Sequence, residues 1–258
     1  MIQEPDGSSY VQSLARGLAV IRTFGAERPR LSLSDVARAT DLTRASARRF
    51  LLTLETEGYV RLRDGLFELT PRVLELGFSY LSAQSLPEVA QPHLEQLSHA
   101  VGESSSASIL DGTDIVYIAR VPTRRIMSVA ITIGTRFPAY VTSMGRVLLA
   151  YASPADRDTY FDGFAPTSFT PRTVVAEDAL RAELDRVREQ GWSLIDGELE
   201  SGLRALAVPV SRGGDVVAAI NVSMPASDVD ATAQALTFLP AMQTAAAAIS
   251  RDLDLLGG

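Results

Sequence analysis

A short arginine-rich run offers the first recognisable chemistry in this sequence. Arginine pairs with two edge atoms of guanine or holds a phosphate, and small neighbouring side chains let a helix approach a DNA groove closely. The candidate DNA contacts in this run are Thr43, Arg44, Ala45, Ser46, Arg48 and Arg49. Arg61 and Arg63 follow in an alternating segment, where they are placed to touch backbone phosphate. These residues predict contact with double-stranded DNA; the alternative is a helix and a hairpin whose arginines are only solvated.

A second candidate site lies at a predicted helix start. Ser143, Met144 and Gly145 follow Thr142 directly after the loop at Pro138. The first backbone N–H groups of a helix lack intrahelical partners and favour an anion. Gly145 also permits close approach to the backbone. This pattern predicts a site for a small carboxylic acid.

The sequence lacks the residues that disulfides, metal sites and common catalytic mechanisms require. The chain contains no cysteine, which excludes disulfides, thiolate metal sites and cysteine nucleophiles. Its two histidines, His93 and His99, point to different faces of a predicted helix, so we expect surface histidines and no metal site. The acids from Asp196 to Glu200 have no nucleophile with a partnering base. We expect no catalytic residue, metal or cofactor. The alternatives are an enzyme with an appended DNA-binding module and a structural protein that uses its helices for protein contacts.

Charge is unevenly distributed along the 258 residues, whose net charge is −7. Residues 1–72 hold 11 Arg against 9 acids, and residues 73–258 hold 13 Arg against 22 acids. A mildly basic small unit joined to an acidic larger one favours nucleic-acid contact at the first. Residues 1–9 lack the basic and apolar regions of a signal peptide, so we expect a cytoplasmic protein. Residues 231–250 are uncharged but rich in alanine and polar side chains, which indicates a packed helix, kinked or restarted at Pro240, and no membrane span.

Three predicted helices position the arginine run. Apolar residues recur at steps of three and four over residues 11–24, which predicts the first helix. A second helix is predicted from its cap at Ser34 to Ala39, and a third from its cap at Thr43 to Gly58. Two helices joined by a three-residue turn are the helix-turn-helix signature. The apolar residues of the third helix share one narrow stripe: Ala47, Phe50, Leu51 and Leu54. The opposite face is left for the arginines.

A hairpin is predicted directly after the third helix. With Asp64-Gly65 as its two-residue loop, Leu62 pairs with Phe67 and Val60 with Leu69 on one face, while Arg61 faces Glu68 on the other. The first unit is therefore a winged helix-turn-helix over residues 8–70.

The remaining sequence predicts a linker helix over residues 71–86 and an α+β unit over residues 87–258. Pro71 suits the first turn of the linker helix. We expect strands at residues 106–110, 115–120, 127–133, 205–211 and 216–224, and helices at 88–101, 143–151, 154–160 and 176–190. Strands interrupted by helices around one sheet indicate a sensor-like domain.

Several long strings resemble the IclR family of bacterial transcription regulators. In the first unit they are residues 13–20 (SLARGLAV), 42–50 (LTRASARRF) and 69–77 (LTPRVLELG), with Asp41 where the family commonly has Gly. In the second they are residues 134–138 (GTRFP), 143–150 (SMGRVLLA) and 196–210 (DGELESGLRALAVPV). Residues 121–127 (VPTRRIM) and 136–146 are similar to the subgroup that regulates β-ketoadipate-pathway genes.

This resemblance implies a GAF-like effector-binding domain, a homodimer or tetramer, a partly palindromic operator, and a small aromatic or dicarboxylic acid as inducer of aromatic-acid catabolism genes. It implies effector contacts at Ser143, Met144, Asp196 and Ala205. Asn221 and Ser223, on the last predicted strand, either add polar contacts to that pocket or face solvent. Arginine side chains suit carboxylates, so three arginines are candidates to bind the effector: Arg124, Arg125 and Arg136. Surface salt bridges or subunit contacts are at least as much expected for them. Regulation of a different small-acid operon is the alternative.

Overall fold

The computed structural model describes residues 10–25, 27–76, 86–123, 131–226 and 230–256. Its chain divides into two units, residues 1–84 and 85–258. Of the linker helix predicted at 71–86, residues 71–72 form a turn, residues 73–76 are helical, and Leu86 begins the next helix; residues 77–85 lie outside the described residues.

The first unit combines three helices with a small antiparallel sheet. In chain order its elements are α1 (Gln12–Arg22), β1 (Arg30–Leu31), α2 (Leu33–Ala39), α3 (Arg44–Thr56), β2 (Val60–Arg63) and β3 (Leu66–Leu69). The strands lie in the order β1-β3-β2. The unit's core includes Val20, Val36, Ala47 and Leu51, all fully buried. The predicted winged helix-turn-helix is confirmed.

The cap of α2 differs from the prediction. Ser32, not Ser34, is the N-cap: its hydroxyl accepts from Asp35 N at 3.2 Å, and the Asp35 carboxylate accepts from Ser32 N at 3.1 Å. The Ser32 hydroxyl also donates to Asp35 Oδ2 at 2.6 Å, and this bond, together with the one from Ser32 N, holds the pKa of Asp35 below its usual value. Ser32 has Asp35 three residues later and can form a reciprocal capping box, whereas Ser34 has Ala37 at that spacing.

The turn and the wing follow the sequence pattern closely. Asp41 takes a positive φ of 52°, a conformation that Asp tolerates in this turn. The hairpin register pairs Val60 with Leu69, Leu62 with Phe67 and Arg61 with Glu68, as predicted. Asp64 and Gly65 both have positive φ, which a type I′ turn requires.

The second unit is a six-stranded antiparallel sheet with helices on both faces. Its elements are α4 (Leu86–Val101), β4 (Ser104–Asp111), β5 (Asp114–Val121), β6 (Arg136–Pro138), a 3₁₀ turn (Ala139–Val141), α5 (Ser143–Tyr151), α6 (Pro154–Asp162), α7 (Glu177–Gln190), β7 (Ser193–Asp196), β8 (Leu203–Arg212), β9 (Asp215–Pro225) and α8 (Ala231–Leu256). The strand order is β6-β5-β4-β9-β8-β7. One core joins α4 and α8 to the sheet, and a second joins α5, α6 and α7 to its other face.

Two strand predictions were incomplete. Residues 127–130 of the expected strand at 127–133 lie outside the described residues, and residues 131–133 are not in a strand. Gly134 makes a positive-φ turn, and the chain pairs with β5 only from Arg136 onward. The short edge strand β7 was not predicted at all.

The C-terminal helix continues through its proline. The sequence indicated a kink or a restart at Pro240; α8 runs from Ala231 to Leu256 with Pro240 inside it, so it does not restart there. Met242, Ala246 and Ile249 bury one face of α8 against the sheet, and that tertiary packing outweighs the hydrogen bond that Pro240 cannot make. None of the helices in the described ranges is long and apolar enough to cross a membrane.

Candidate functional site

The exposed face of α3 carries the predicted DNA contacts. Thr43 caps the helix, and its hydroxyl accepts from Ser46 N at 3.2 Å. Ala47 and Leu51 turn inward, which leaves Thr43, Arg44, Ala45, Arg48 and Arg49 exposed and Ser46 half-buried. Among the described residues, none of these three arginines has an ion-pair partner. Because the first turn also holds no acid, the positive end of the helix dipole adds to their charge.

The two arginines of the wing differ in their partners. Arg61 Nε donates to Glu68 Oε1 at 2.6 Å, and this bond lowers the pKa of Glu68. The nearest acid to Arg63 is Asp64, at 3.9 Å. Arg63 therefore offers the less compensated charge at the tip of the wing, and Arg61 is partly neutralised within the hairpin.

An apolar groove runs between α1 and α3. It has a volume of about 760 Å³, and its lining includes Leu14, Leu18, Phe50, Leu54 and Leu76. Leu14 is 63% exposed and Leu18 is 40% exposed. Large apolar side chains grouped on one face of a soluble protein mark an interaction surface.

The start of α5 in the second unit is a capped helix N-terminus. Thr142 is its N-cap, and the Thr142 hydroxyl accepts from Gly145 N at 3.1 Å. Arg146 N donates to Thr142 O at 3.0 Å. The backbone N–H groups of Ser143 and Met144 have no intrahelical partner, so the helix start retains donors for an anion.

A buried cavity opens at this helix start. The cavity is lined by Tyr117, Val141, Thr142, Ser143, Ile195, Leu199, Leu203, Ala205, Asn221 and Ser223. It brings together four of the predicted effector residues from α5, β8 and β9. Asn221 and Ser223, for which the sequence left two orientations open, face the cavity and not solvent. The cavity volume is only about 20 Å³, room for about one water molecule.

Two polar atoms in the cavity wall have no hydrogen-bond partner among the described residues. They are Ser143 Oγ and Asn221 Oδ1, on residues that are 1% and 3% exposed. Buried polar groups are normally paired, so these atoms require a partner in the cavity, either a water molecule or a ligand group. Burial raises the pKa of Tyr117 to about 12, so its phenol keeps its proton at neutral pH.

The other three expected effector residues do not line the cavity. Met144 packs in the core beneath α5. A Cβ on Gly145 would overlap the backbone of Ala139, so the close approach at Gly145 is to the protein's own 3₁₀ turn. The Asp196 carboxylate bridges Arg172 and Arg204, each at 2.7 Å.

A buried ion pair fastens the loop after β7 to α5. Arg146 Nη2 donates to Glu198 Oε2 at 2.6 Å, and Arg146 Nε donates to Tyr140 O at 2.9 Å. Glu198 also accepts from Val174 N. Because Leu199 lines the cavity and Glu198 is its neighbour, the ion pair holds one cavity wall against the helix that supplies Ser143.

The sequence patterns did not single out Tyr117 or Arg120. Arg120 donates to Ser106 Oγ at 3.1 Å, and the register places Arg120, Ser106 and Asn221 side by side on β5, β4 and β9, on one face of the sheet. Burial lowers the pKa of Arg120, and no acid among the described residues pairs with it. A register shift between Ala107 and Ser108 puts Arg120 on the same face as Tyr117 although the two are three residues apart, so alternation along β5 alone would not have found Arg120.

The remaining polar candidates lie elsewhere. Arg136 makes surface ion pairs with Asp111 and Asp114, and Arg124 and Arg125 lie outside the described residues. His99 is exposed, but His93 is half-buried and bonds Asp252 on α8 at 2.7 Å, so the expectation of two surface histidines was wrong for His93.

Two family models match the chain. Residues 13–64 match the IclR helix-turn-helix domain, and residues 78–251 match the model of the bacterial transcriptional regulator IclR C-terminal. The chain is 40% identical over 252 residues to the Pca regulon regulatory protein of Pseudomonas putida, covering 97% of this chain and 84% of that relative. It is 37% identical over 218 residues to the p-hydroxybenzoate hydroxylase transcriptional activator of Acinetobacter baylyi, covering 82% and 80%.

The fold of this chain also superposes on the solved structure of an IclR homolog. An IclR homolog from Microbacterium hydrocarbonoxydans, crystallised as a complex with 4-hydroxybenzoate, superposes with a TM-score of 0.83. The two sequences are 28% identical, and the superposition covers 93% of this chain and 98% of that one.

Proposed function

Because the chain belongs to the IclR family of bacterial transcriptional regulators, we propose that it controls genes of aromatic-acid breakdown, with a small aromatic carboxylate as its effector. The names of the Pseudomonas and Acinetobacter relatives and the ligand of the Microbacterium structure support this assignment. The observation that carries it is the buried cavity where Ser143 and the start of α5 meet Asn221. A regulator of DNA acts where the chromosome lies, so we propose a cytoplasmic location.

The DNA interface in this proposal is the exposed side of α3 together with the wing. Arg48 and Arg49 would contact base edges or phosphates, Arg44 adds charge near the helix start, and Arg63 would hold backbone phosphate beside the groove. Arg61 contributes less because Glu68 compensates its charge. Binding of this kind weakens steeply as salt concentration rises.

The proposed assembly is a homodimer, or a tetramer built from such dimers, formed in part through the α1 face. Tyr10, Val11, Leu14 and Leu18 expose apolar side chains along this face and the adjoining groove. A second copy with the same face would cover them symmetrically. Two reading helices related by two-fold symmetry require a partly palindromic operator.

The proposed effector site contains Ser143, Ala205, Asn221 and Ser223. The carboxylate would accept from the first N–H groups of α5 and from Ser143, and Arg120 would favour an anion on this side of the sheet. We assign no catalysis to the cavity, since both histidines lie outside its lining. Regulation follows if the effector has different affinities for the DNA-competent and incompetent arrangements.

Ligand binding and its effect on DNA test the proposal together. A thermal-shift series with 4-hydroxybenzoate, protocatechuate, benzoate and β-ketoadipate should raise the melting temperature for at least one aromatic acid, because a ligand of the folded state stabilises it. That acid should also change binding to the DNA upstream of the regulated genes in fluorescence anisotropy. A full set of acids without any thermal shift would refute the effector assignment, and unchanged DNA binding with a bound acid would refute the regulatory one.

A further inference from the structure

We propose that Leu52 contacts the C5-methyl group of a thymine in the operator and thereby selects that base. This inference rests on the DNA interface proposed above and adds a specificity-determining residue to it. Leu52 is an apolar side chain that α3 exposes among its arginines, on the face proposed to enter the major groove of DNA.

Leu52 lies at the centre of the exposed face of α3. Arg48 and Arg49 precede it by four and three residues, so their side chains flank it, and Ala45 lies two turns earlier on the same face. Ala47, which is fully buried, points to the opposite side of the helix. Leu52 itself is 44% exposed. The centre of this face is therefore apolar, and its flanks are basic.

The elements beside α3 leave this face open. On one side lies the wing, where Glu55 Oε1 accepts a hydrogen bond from Leu62 N at 3.3 Å. On the other side lies the groove between α1 and α3, to which Phe50 and Thr53 contribute. Within the described part of the chain, Leu52 is not in the lining of that groove. A partner that occupies the groove therefore does not account for the exposure of Leu52.

Two hydroxyl groups next to Leu52 donate their protons within the helix. Thr53 Oγ1 donates to Arg49 O at 2.9 Å, and Thr56 Oγ1 donates to Leu52 O at 3.0 Å. The arginines remain to hold phosphate or the edge of guanine. The apolar group that a base edge presents in the major groove is the C5-methyl of thymine. Contact between this methyl group and Leu52 removes apolar surface of both from water, which favours thymine at that position.

Duplexes that contain thymine or deoxyuridine test this inference with the full-length protein. Selection from a random-sequence duplex library provides a bound site, in which each thymine is replaced in turn by deoxyuridine, a nucleotide that lacks only the methyl group. We expect at least one replacement to weaken binding to the wild type about fourfold in fluorescence anisotropy, the effect of leaving one methyl group in water. In Leu52→Ala the ratio of the two affinities at that position should fall to about one.

Leu62→Ala is the matched control, because Leu62 is similarly exposed, at 49%, but lies on the wing. It should keep the fourfold ratio. Arg48→Ala should weaken binding to both duplexes and leave the ratio unchanged. Alanine is the residue that most favours a helix, so we expect Leu52→Ala to fold, and circular dichroism checks its helix content.

Three results would overturn the inference while leaving the DNA interface intact. They are wild-type affinity that no deoxyuridine replacement changes, a fourfold ratio that persists in Leu52→Ala, and a ratio that Leu62→Ala abolishes equally. Failure of the library to yield any bound duplex would instead count against the proposed DNA interface.

Discussion

Gly145 gives the sharpest test of how the cavity is positioned. An alanine Cβ at this position would overlap the carbonyl oxygen, carbonyl carbon and Cα of Ala139. These are backbone atoms of the 3₁₀ turn that precedes α5, so no flexible side chain can move aside. In Gly145→Ala the helix start and the turn must separate by on the order of 1 Å to restore ordinary contact distances.

The expected cost combines two opposing effects. Overpacking a buried site costs about 1 to 3 kcal/mol, and a rigid backbone contact belongs at the upper end of that range. Alanine in place of glycine within a helix recovers about 1 kcal/mol. We therefore expect a net loss of about 2 kcal/mol in the free energy of unfolding of the second unit. Because α5 supplies Ser143, affinity for 4-hydroxybenzoate should also fall by about tenfold.

The chain provides both the reporter and the control for this measurement. Its single tryptophan, Trp192, belongs to the second unit and packs against that unit's core, so its fluorescence in a urea titration follows the unfolding of that unit. Gly163 ends α6 with a negative φ and open space around its Cβ position, so Gly163→Ala should leave stability unchanged or raise it by up to about 1 kcal/mol. The reasoning fails if Gly145→Ala is as stable as Gly163→Ala and binds the acid equally well.

Three further substitutions address the other features. Arg48→Ala should weaken operator binding by about 1 to 3 kcal/mol if Arg48 contacts a base edge. If Arg48 contacts phosphate, the slope of log binding constant against log salt concentration should become shallower by about one. Fluorescence anisotropy measures both quantities, and an equal effect of Arg212→Ala in the second unit would contradict the assignment. Leu14→Asp places a charge on the exposed α1 face and should shift the chain toward monomer in light scattering, whereas an unchanged mass would remove that face from the assembly. Among the described acids, Glu198→Ala leaves the buried Arg146 guanidinium with only Glu183, at 3.9 Å. We expect the free energy of unfolding, followed by Trp192 fluorescence, to fall by about 3 kcal/mol. A loss no larger than that of Glu198→Gln would refute a role for charge.

Local patterns predicted the first unit in detail. The alternation around Asp64-Gly65 fixed the register of the wing, and the apolar stripe through Ala47 and Leu51 fixed which side of α3 is exposed, because both depend on neighbours within a few residues. The cap of α2 was misplaced by two residues because two serines compete there and only Ser32 has its acid at the right spacing. Strand and helix periodicity thus account for the features of the first unit that depend on neighbouring residues.

The cavity depends on contacts that no local pattern contains. Tyr117 and Arg120 became visible only through the pairing of β5 with β4 and of β4 with β9, which brings together residues about a hundred positions apart. Asp196 resembled an effector contact in its motif, but Arg172 and Arg204 reach it from distant segments and occupy its carboxylate. Of the strand predicted at 127–133, residues 131–133 are not in a strand, and Gly134 turns the chain before β6 begins at Arg136; residues 127–130 lie outside the described residues.

The small size of the cavity has a consequence for how tightly any effector can bind. An aromatic ring exceeds 20 Å³ several times over, so the walls must part, and Leu199 lies on a loop fastened by Thr170, Thr173 and the Arg146–Glu198 pair. Apparent affinity is then the intrinsic affinity multiplied by the fraction of molecules already open. Substitutions that loosen those fastenings, such as Thr173→Val, should sensitise the regulator to lower effector concentrations without changing a single atom that touches the ligand.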